Sequence, residues 1–205
     1  AGTAPDAQLL VMKVFGKQGG AFDSDIMASI EDALLLGADS VNLSLGSTTA
    51  GASYDPAYQE MMERVMASGM TVIASAGNDG APNEGIGAIP NYPAALSYVL
   101  GVMSVGSSGR ESSFSNYDTY AFNGVEYELY APGEYMLSTI PGDGYASWSG
   151  TSMAAPHMTG AAAIMRQYVN EAFPELSDFE KQELIDNLLM STAEPVIAPN
   201  GAAYT

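Results

Sequence analysis

One serine and one histidine, five positions apart, are the residues in this chain whose types first suggest chemistry. In G-T-S-M-A-A-P-H, residues 150–157, Ser152 stands where a glycine-containing turn runs into the start of a helix. The first turn of a helix carries unpaired N–H groups and the positive end of the helix dipole. An oxyanion formed when Ser152 attacks a carbonyl would therefore meet donors already in place. An ordinary Ser or Thr helix cap would leave the same residues in the same order. His157 is the only histidine of the chain, so it is the one ready-made general base. At about 100° per residue, five positions turn the helix through about 500° and leave the two side chains about 140° apart. They cannot form a hydrogen-bonded pair, and a structural role is expected for His157.

The elements that must position Ser152 follow from changes of hydrophobic period. Residues 8–15 form a short, nearly continuous apolar run that suits a strand buried on both faces. After Gly19 and Gly20 the period becomes helical, with Ile26, Met27, Ile30, Ala33 and Leu34 on one face. Asp23 or Ser24 is the expected cap and Gly37 the expected stop. A second strand is expected over 40–45, a second helix through Tyr58, Met61, Met62, Val65 and Met66 ending at Gly69, and a third strand over 71–76.

Strand, helix, strand, helix, strand at this spacing predicts a parallel sheet with right-handed crossovers, hence the α/β class. In such sheets ligands sit beyond the C-terminal ends of the strands. That puts Ser44, Leu45 and Gly46, and likewise Ala76, Gly77 and Asn78, on the edge where substrate would bind. By turn chemistry alone Asn78 is a turn residue behind Gly77.

Residues 80–93, rich in Gly, Pro and Asn, read as a surface loop. Strands are expected over 99–105, 125–130 and 144–148, with a tight turn at Asn123-Gly124. The last part is helical again. Residues 151–169 are small and apolar on most sides, as in a helix buried in the core. Ser177 with Glu180 forms a capping box ahead of a final helix whose Leu184, Ile185, Leu188 and Leu189 face inward.

Composition limits what such a site could serve. With 205 residues at 47% hydrophobic, the chain can bury one substantial core, and residues 1–205 are expected to form one domain. No apolar run approaches the length of a membrane helix, and no signal peptide is visible at the start, so membrane insertion is not expected. Six Lys plus Arg against 24 Asp plus Glu give a net charge of −18, which repels a phosphate backbone and excludes nucleic acid as an expected partner. Solubility accounts for that charge, and halophilic adaptation or loose cation binding are the other readings. The absence of Cys excludes disulfides, thiolate catalysis and Cys-bound zinc, and a single His excludes a His cluster for a metal.

At G-T-S-M-A-A-P-H the sequence resembles the nucleophile motif of the subtilisin-like serine peptidases. A-S-A-G-N-D-G, residues 74–80, resembles that family's oxyanion-asparagine motif, and V-N-L-S-L-G, residues 41–46, its substrate-binding strand. A-P-D-A-Q-L, residues 4–9, is similar to the segment that follows its catalytic-histidine helix. The motifs come in the family's order and at compatible spacing, and the resemblance spans essentially the whole chain. It implies a three-layer α/β sandwich, a mainly parallel sheet flanked by helices, without the family's N-terminal strands.

The resemblance also implies residue roles. Ser152 would be the nucleophile of a serine endopeptidase, with its own N–H as one oxyanion donor and the Asn78 side-chain amide as the other. Loss of such an asparagine donor in subtilisin costs about 2.7–4 kcal/mol of transition-state stabilisation. Ser44, Leu45 and Gly46 would bind the backbone of a peptide or protein substrate by strand addition. Ala76 and Gly77 would line the S1 pocket, and Asn91, ahead of Tyr92-Pro93, would stand at its base.

The family's aspartate and histidine motifs, D-T-G or D-S-G and H-G-T-H, are absent. Asp39 or Asp143 could replace the carboxylate, but there is no base for either to orient. A fragment of an active enzyme, inactive alone, is expected; the rival is a peptide-binding module that does not cut. No cofactor is required, and calcium is expected at most weakly, on backbone carbonyls of residues 94–99. Resemblance further implies a secreted or cell-surface protein. In the family an aspartate-bearing strand lies between the strands corresponding to 9–14 and 41–45. Closure of that gap by direct pairing, a homodimer, or complementation by an N-terminal segment is therefore expected.

Overall fold

A computed structural model of the chain describes residues 2–48, 56–119, 127–198 and 203–204. Four parallel strands in the order β1-β2-β3-β4 form its sheet: β1 (Ser40–Leu43), β2 (Thr71–Ser75), β3 (Leu100–Val105) and β4 (Leu129–Pro132). The register aligns Ser40 with Thr71, Ile73 with Leu100 and Val102 with Leu129; β1 stops one residue short of the end of β2, and β3 and β4 run three residues beyond it and end together. Between them run α1 (Asp23–Leu35) and α2 (Pro56–Ala67). After a hairpin of β5 (Met136–Ile140) and β6 (Gly144–Trp148) come α3 (Thr151–Ala172) and α4 (Asp178–Ser191). A short antiparallel pair, β7 (Val196–Ile197) with β8 (Ala203–Tyr204), follows.

The layers follow from side-chain alternation along the strands. On one face of the sheet Val72, Ala74, Ala76 and Met103 pack with Ile26 and Ile30 of α1 and Tyr58, Met61, Met62 and Val65 of α2. On the other, Ile73, Leu100, Val102, Leu129 and Ala131 pack with Ala154, Ala155, Ala162 and Val169 of α3 and Ile185 and Leu189 of α4. Every residue of β2 is buried, as a strand covered on both faces requires. The chain therefore has the three-layer α/β sandwich expected from its sequence.

Helix ends show where local chemistry decides. The predicted capping box of α4 is formed in both directions: Ser177 Oγ accepts from the Glu180 N–H, and Glu180 accepts from the Ser177 N–H. Contact with Ser177 holds the Glu180 carboxyl below the usual carboxylate range. At α1 the expectation fails. Neither Asp23 nor Ser24 is the cap; Phe22 is, with no side-chain bond, and Asp23 and Asp25 lie in the first turn, where negative charge suits the helix dipole. Gly37 ends that helix with φ 76°, a left-handed conformation that glycine adopts without steric cost.

Three further expectations are corrected. Residues 8–15 form no strand, and Leu9 and Val11 are more than four-fifths exposed. An apolar run supplies side chains for two covered faces, but a strand exists only where a neighbour pairs its backbone groups, and none of the four sheet strands does so. Direct pairing of this segment with β1 is thereby excluded in this structure. Secondly, α3 is not buried on most sides: Ile164 and Tyr168 are exposed. Its small residues admit close neighbours instead, since a Cβ on Gly160 would lie 2.6 Å from Thr3. Thirdly, the strand expected over 125–130 is observed as β4, starting at Leu129, while Asn123-Gly124 and residues 125–126 lie outside the described residues.

Candidate active site

The C-terminal ends of β1 and β2 meet the N-terminus of α3, and this junction gathers the residues singled out in the sequence. Ser44 Oγ donates to the Ser152 carbonyl at 2.8 Å, and Ser152 Oγ lies 3.5 Å from the Ser44 carbonyl oxygen. From the end of β2, the Asn78 amide oxygen accepts the Thr151 N–H at 2.8 Å and the Thr151 hydroxyl at 3.1 Å. A main-chain N–H can only donate, so the bond from Thr151 settles which end of the Asn78 amide is oxygen. Among the described residues the amide nitrogen, on an exposed side chain, has no partner.

The first turn of α3 is selectively satisfied. Thr151 N–H is bonded to Asn78, and the Met153 and Ala154 N–H groups reach the Gly150 carbonyl. Ser152 N–H has no acceptor among the described residues. Two donors, the Ser152 N–H and the Asn78 amide nitrogen, are therefore free at one helix N-terminus, beside a half-buried hydroxyl. Gly150 is itself anchored, its N–H donating to the Gly133 carbonyl beyond β4 at 2.9 Å.

Asn91 forms the floor of this region. It is buried; its side-chain amide donates to the Ser75 carbonyl at 2.7 Å, and its N–H donates to the Tyr127 hydroxyl at 2.9 Å. A Cβ on Gly46 would come within 2.2 Å of the Asn91 amide, and one on Gly77 within 3.2 Å of the Asn91 Cβ. The two glycines thus let segments 44–46 and 76–77 close over Asn91. Ala76 is fully buried and Leu45 half-buried. Ser47 and Tyr92 exchange backbone hydrogen bonds and tie the first segment to the loop that carries Asn91. Burial pushes the Tyr127 hydroxyl up to about 12, so it stays protonated as part of this floor.

His157 behaves as the helix geometry requires. Its Nδ1 lies 2.9 Å from the Met153 carbonyl, one turn back on its own helix, and so carries the proton donated there. Of the two aspartates considered as substitutes, Asp39 precedes β1, at the opposite end of the sheet from Ser152, and lies 3.8 Å from Arg166 Nε. Asp143 is in the turn of the β5–β6 hairpin, with φ 58°. Neither joins the serine.

Two residues of the junction were not foreseen. Thr151, in the sequence a motif residue at the start of the expected helix, uses its hydroxyl both to donate to Asn78 and to accept the Gly77 N–H at 3.1 Å. Asn116 is fully buried, and its side chain bonds main-chain groups of residues 76, 79, 81 and 89. Nothing local in F-S-N-Y announces this, because every partner lies 27 to 40 positions earlier in the chain.

A parallel sheet covered on both faces, with a serine at a helix N-terminus and an asparagine amide at the neighbouring strand end, defines an α/β protein that gathers these side chains at the C-terminal edge of its sheet. The chain belongs to the subtilase family, whose profile matches residues 1–204. It is 37% identical over 207 aligned positions to the "Major intracellular serine protease" of Bacillus subtilis (strain 168), covering 100% of this chain and 61% of that protein. Identity to "Subtilisin DY" of Bacillus licheniformis is also 37%, over 94% of this chain and 63% of the relative. Among solved structures, the patellamide maturation protease PatA matches with a TM-score of 0.80 at 29% identity, covering 95% of this chain and 67% of that one. The chain thus spans about three-fifths of the length of the curated relatives it matches. Among the described residues no helix is long and apolar enough to cross a membrane.

Proposed function

We propose that this chain carries the nucleophile and oxyanion half of a serine endopeptidase site acting on peptides or proteins. The observation that supports it most is the pair of unused donors, Ser152 N–H and the Asn78 amide nitrogen, beside the Ser152 hydroxyl. Donors bound to neither water-excluding neighbours nor each other are what a developing oxyanion requires.

In this reading Ser152 Oγ attacks the scissile carbonyl carbon, and the new alkoxide is held by those two donors. The C–N bond then breaks, the amine leaves with a proton, and water hydrolyses the acyl-serine. Ser44, Leu45 and Gly46 hold the substrate backbone, and Ala76, Gly77 and Asn91 form the pocket for the side chain before the cleaved bond. The base and its orienting carboxylate come from outside these 205 residues, since His157 is committed to Met153. Without them the hydroxyl is a weak nucleophile, and the isolated chain is inactive or nearly so.

Calcium enters only as a weak, dispensable ligand. The crevice lined by Ser97, Tyr98, Val99 and Glu128 offers hard oxygen donors, but Glu128 already accepts the Gly101 N–H. Among the described residues no group of three or more His, Cys, Asp or Glu could hold a metal. Two relatives are named intracellular proteases, so family membership does not by itself assign this chain to the exterior of a cell.

Labelling of Ser152 by a fluorophosphonate tests the reading. The chain alone is expected to remain unlabelled and the protein that completes the site to label stoichiometrically, with turnover abolished in Ser152→Ala. Undiminished cleavage by that variant refutes it. Tight binding of an extended peptide with no labelling in any form of the protein favours the second reading, a peptide-binding module.

A further inference from the structure

The loop that carries Asn78 is held from two sides. From α3, Thr151 bonds both the Asn78 side chain and the Gly77 N–H. From the opposite side a single buried amide does the rest. Asn116 Oδ1 accepts the Asp79 N–H at 2.9 Å and the Ala81 N–H at 3.3 Å, and its Nδ2 donates to the Ala76 carbonyl at 3.0 Å and the Ile89 carbonyl at 3.2 Å. Its own backbone N–H donates to the Gly77 carbonyl at 2.9 Å. Every residue from 76 to 81 except Asn78 and Gly80 thus has a main-chain group bonded to Asn116, and the Gly80 N–H reaches the nearby Phe114 carbonyl.

The contact is also steric. A Cβ on Gly77 would come within 2.4 Å of Asn116 Nδ2, so the amide occupies space that only a glycine loop leaves open. Asn116 is 0% exposed, and in such surroundings unpaired main-chain groups are costly and paired ones rigid.

We infer that Asn116 is the positioning residue that sets the height and tilt of the Asn78 amide above the helix N-terminus of α3. It touches no reacting atom and acts through the loop. This rests on the reading of Asn78 as an oxyanion donor. Oxyanion donors work only at hydrogen-bond distance from the charge that develops, and a misplacement of about 1 Å costs about 10²-fold in rate. Removing the Asn116 amide frees four main-chain partners at once, so the loop relaxes by that order while segment 44–46, to which Asn116 makes no hydrogen bond among the described residues, stays in place.

The experiment is a double-mutant cycle in the catalytically complete protein, with amide hydrogen exchange on the 205-residue chain beside it. Asn116→Ala is expected to lower kcat by about 10²-fold with KM changed less than about threefold. Asn78→Ala alone is expected to lower kcat about 10²–10³-fold, and the double variant to be no worse than Asn78→Ala, because both act through one donor. Asn116→Ser, which stays uncharged and keeps one hydroxyl toward the loop, is the variant to use if Asn116→Ala does not fold. It should retain part of the protection of the Asp79 and Ala81 amides and lose about tenfold in kcat. Multiplicative effects in the double variant, or a kcat for Asn116→Ala within about threefold of the parent, overturn the inference. If Asn78→Ala leaves kcat unchanged, the oxyanion reading fails instead. Exchange then decides the rest: lost protection at Asp79 and Ala81 in Asn116→Ala upholds the hold of Asn116 on the loop, and unchanged protection overturns it.

Discussion

Replacing Thr151 by Val keeps the shape of a fully buried side chain and removes its hydroxyl, which links helix α3 to the strand end that carries Asn78. Two bonds disappear. The buried Gly77 N–H loses its acceptor, and Asn78 Oδ1 keeps only the Thr151 N–H. A buried donor left unpaired costs about 1–3 kcal/mol, and the second bond, on an exposed side chain, adds about 0.5–1 kcal/mol; the extra methyl returns about 0.8 kcal/mol if it packs. The net loss is about 1–3 kcal/mol, a fall in melting temperature of about 3–10 °C for a chain of this length. Urea unfolding of the 205-residue chain measures it, with Thr151→Ser as the control. Serine keeps both bonds and loses one methyl, so it should cost about 1 kcal/mol or less. In the complete enzyme Thr151→Val should also lower kcat by about 5–10-fold through a looser Asn78, corresponding to about one net hydrogen bond. A Thr151→Val variant within about 0.5 kcal/mol of the parent, or a Thr151→Ser variant equally damaged, would falsify the reasoning.

Three other outcomes are expected. Burial raises the Asp186 carboxyl from 3.8 to about 7 despite the opposing pull of Arg166 and Gln182, with Glu183 adding to the rise. The folded chain therefore holds a proton that the unfolded chain has released between about pH 4 and 7, and this group's contribution to stability falls as pH rises through that window. Asp186→Asn should match the parent near pH 4 and exceed it by about 2–4 kcal/mol above pH 7, and parallel stability–pH curves for the two proteins would rule this out. Gly46→Ala should force Asn91 off the Ser75 carbonyl, costing about 1–3 kcal/mol in a melt and weakening peptide binding; an undisturbed melt would show that the 44–46 segment does not close on Asn91 as described. Calcium at about 10 mM should raise the melting temperature by a few degrees at most relative to chelator, and no rise would count against even a weak site.

The local part of this protein was legible in its sequence because short-range patterns decide it. Helical period placed α1, α2 and α4, apolar runs placed β1 to β3, and Ser177 with Glu180 formed the box their spacing prescribes. The helix angle alone set His157 apart from Ser152, and the structure pairs it with Met153. The same logic misled at residues 8–15, where composition suits a buried strand but no neighbour offers a ladder. The β5 strand, half of an exposed hairpin, went unread because neither of its faces is buried enough to impose alternation. What only the tertiary structure decided is how the site is held. Thr151 and Asn116 bond main-chain groups of a loop 27 to 74 positions away. A hydrogen bond between residues so distant leaves no periodicity in the sequence, because what makes it is the packing of α3 and the 112–117 segment against the ends of the sheet.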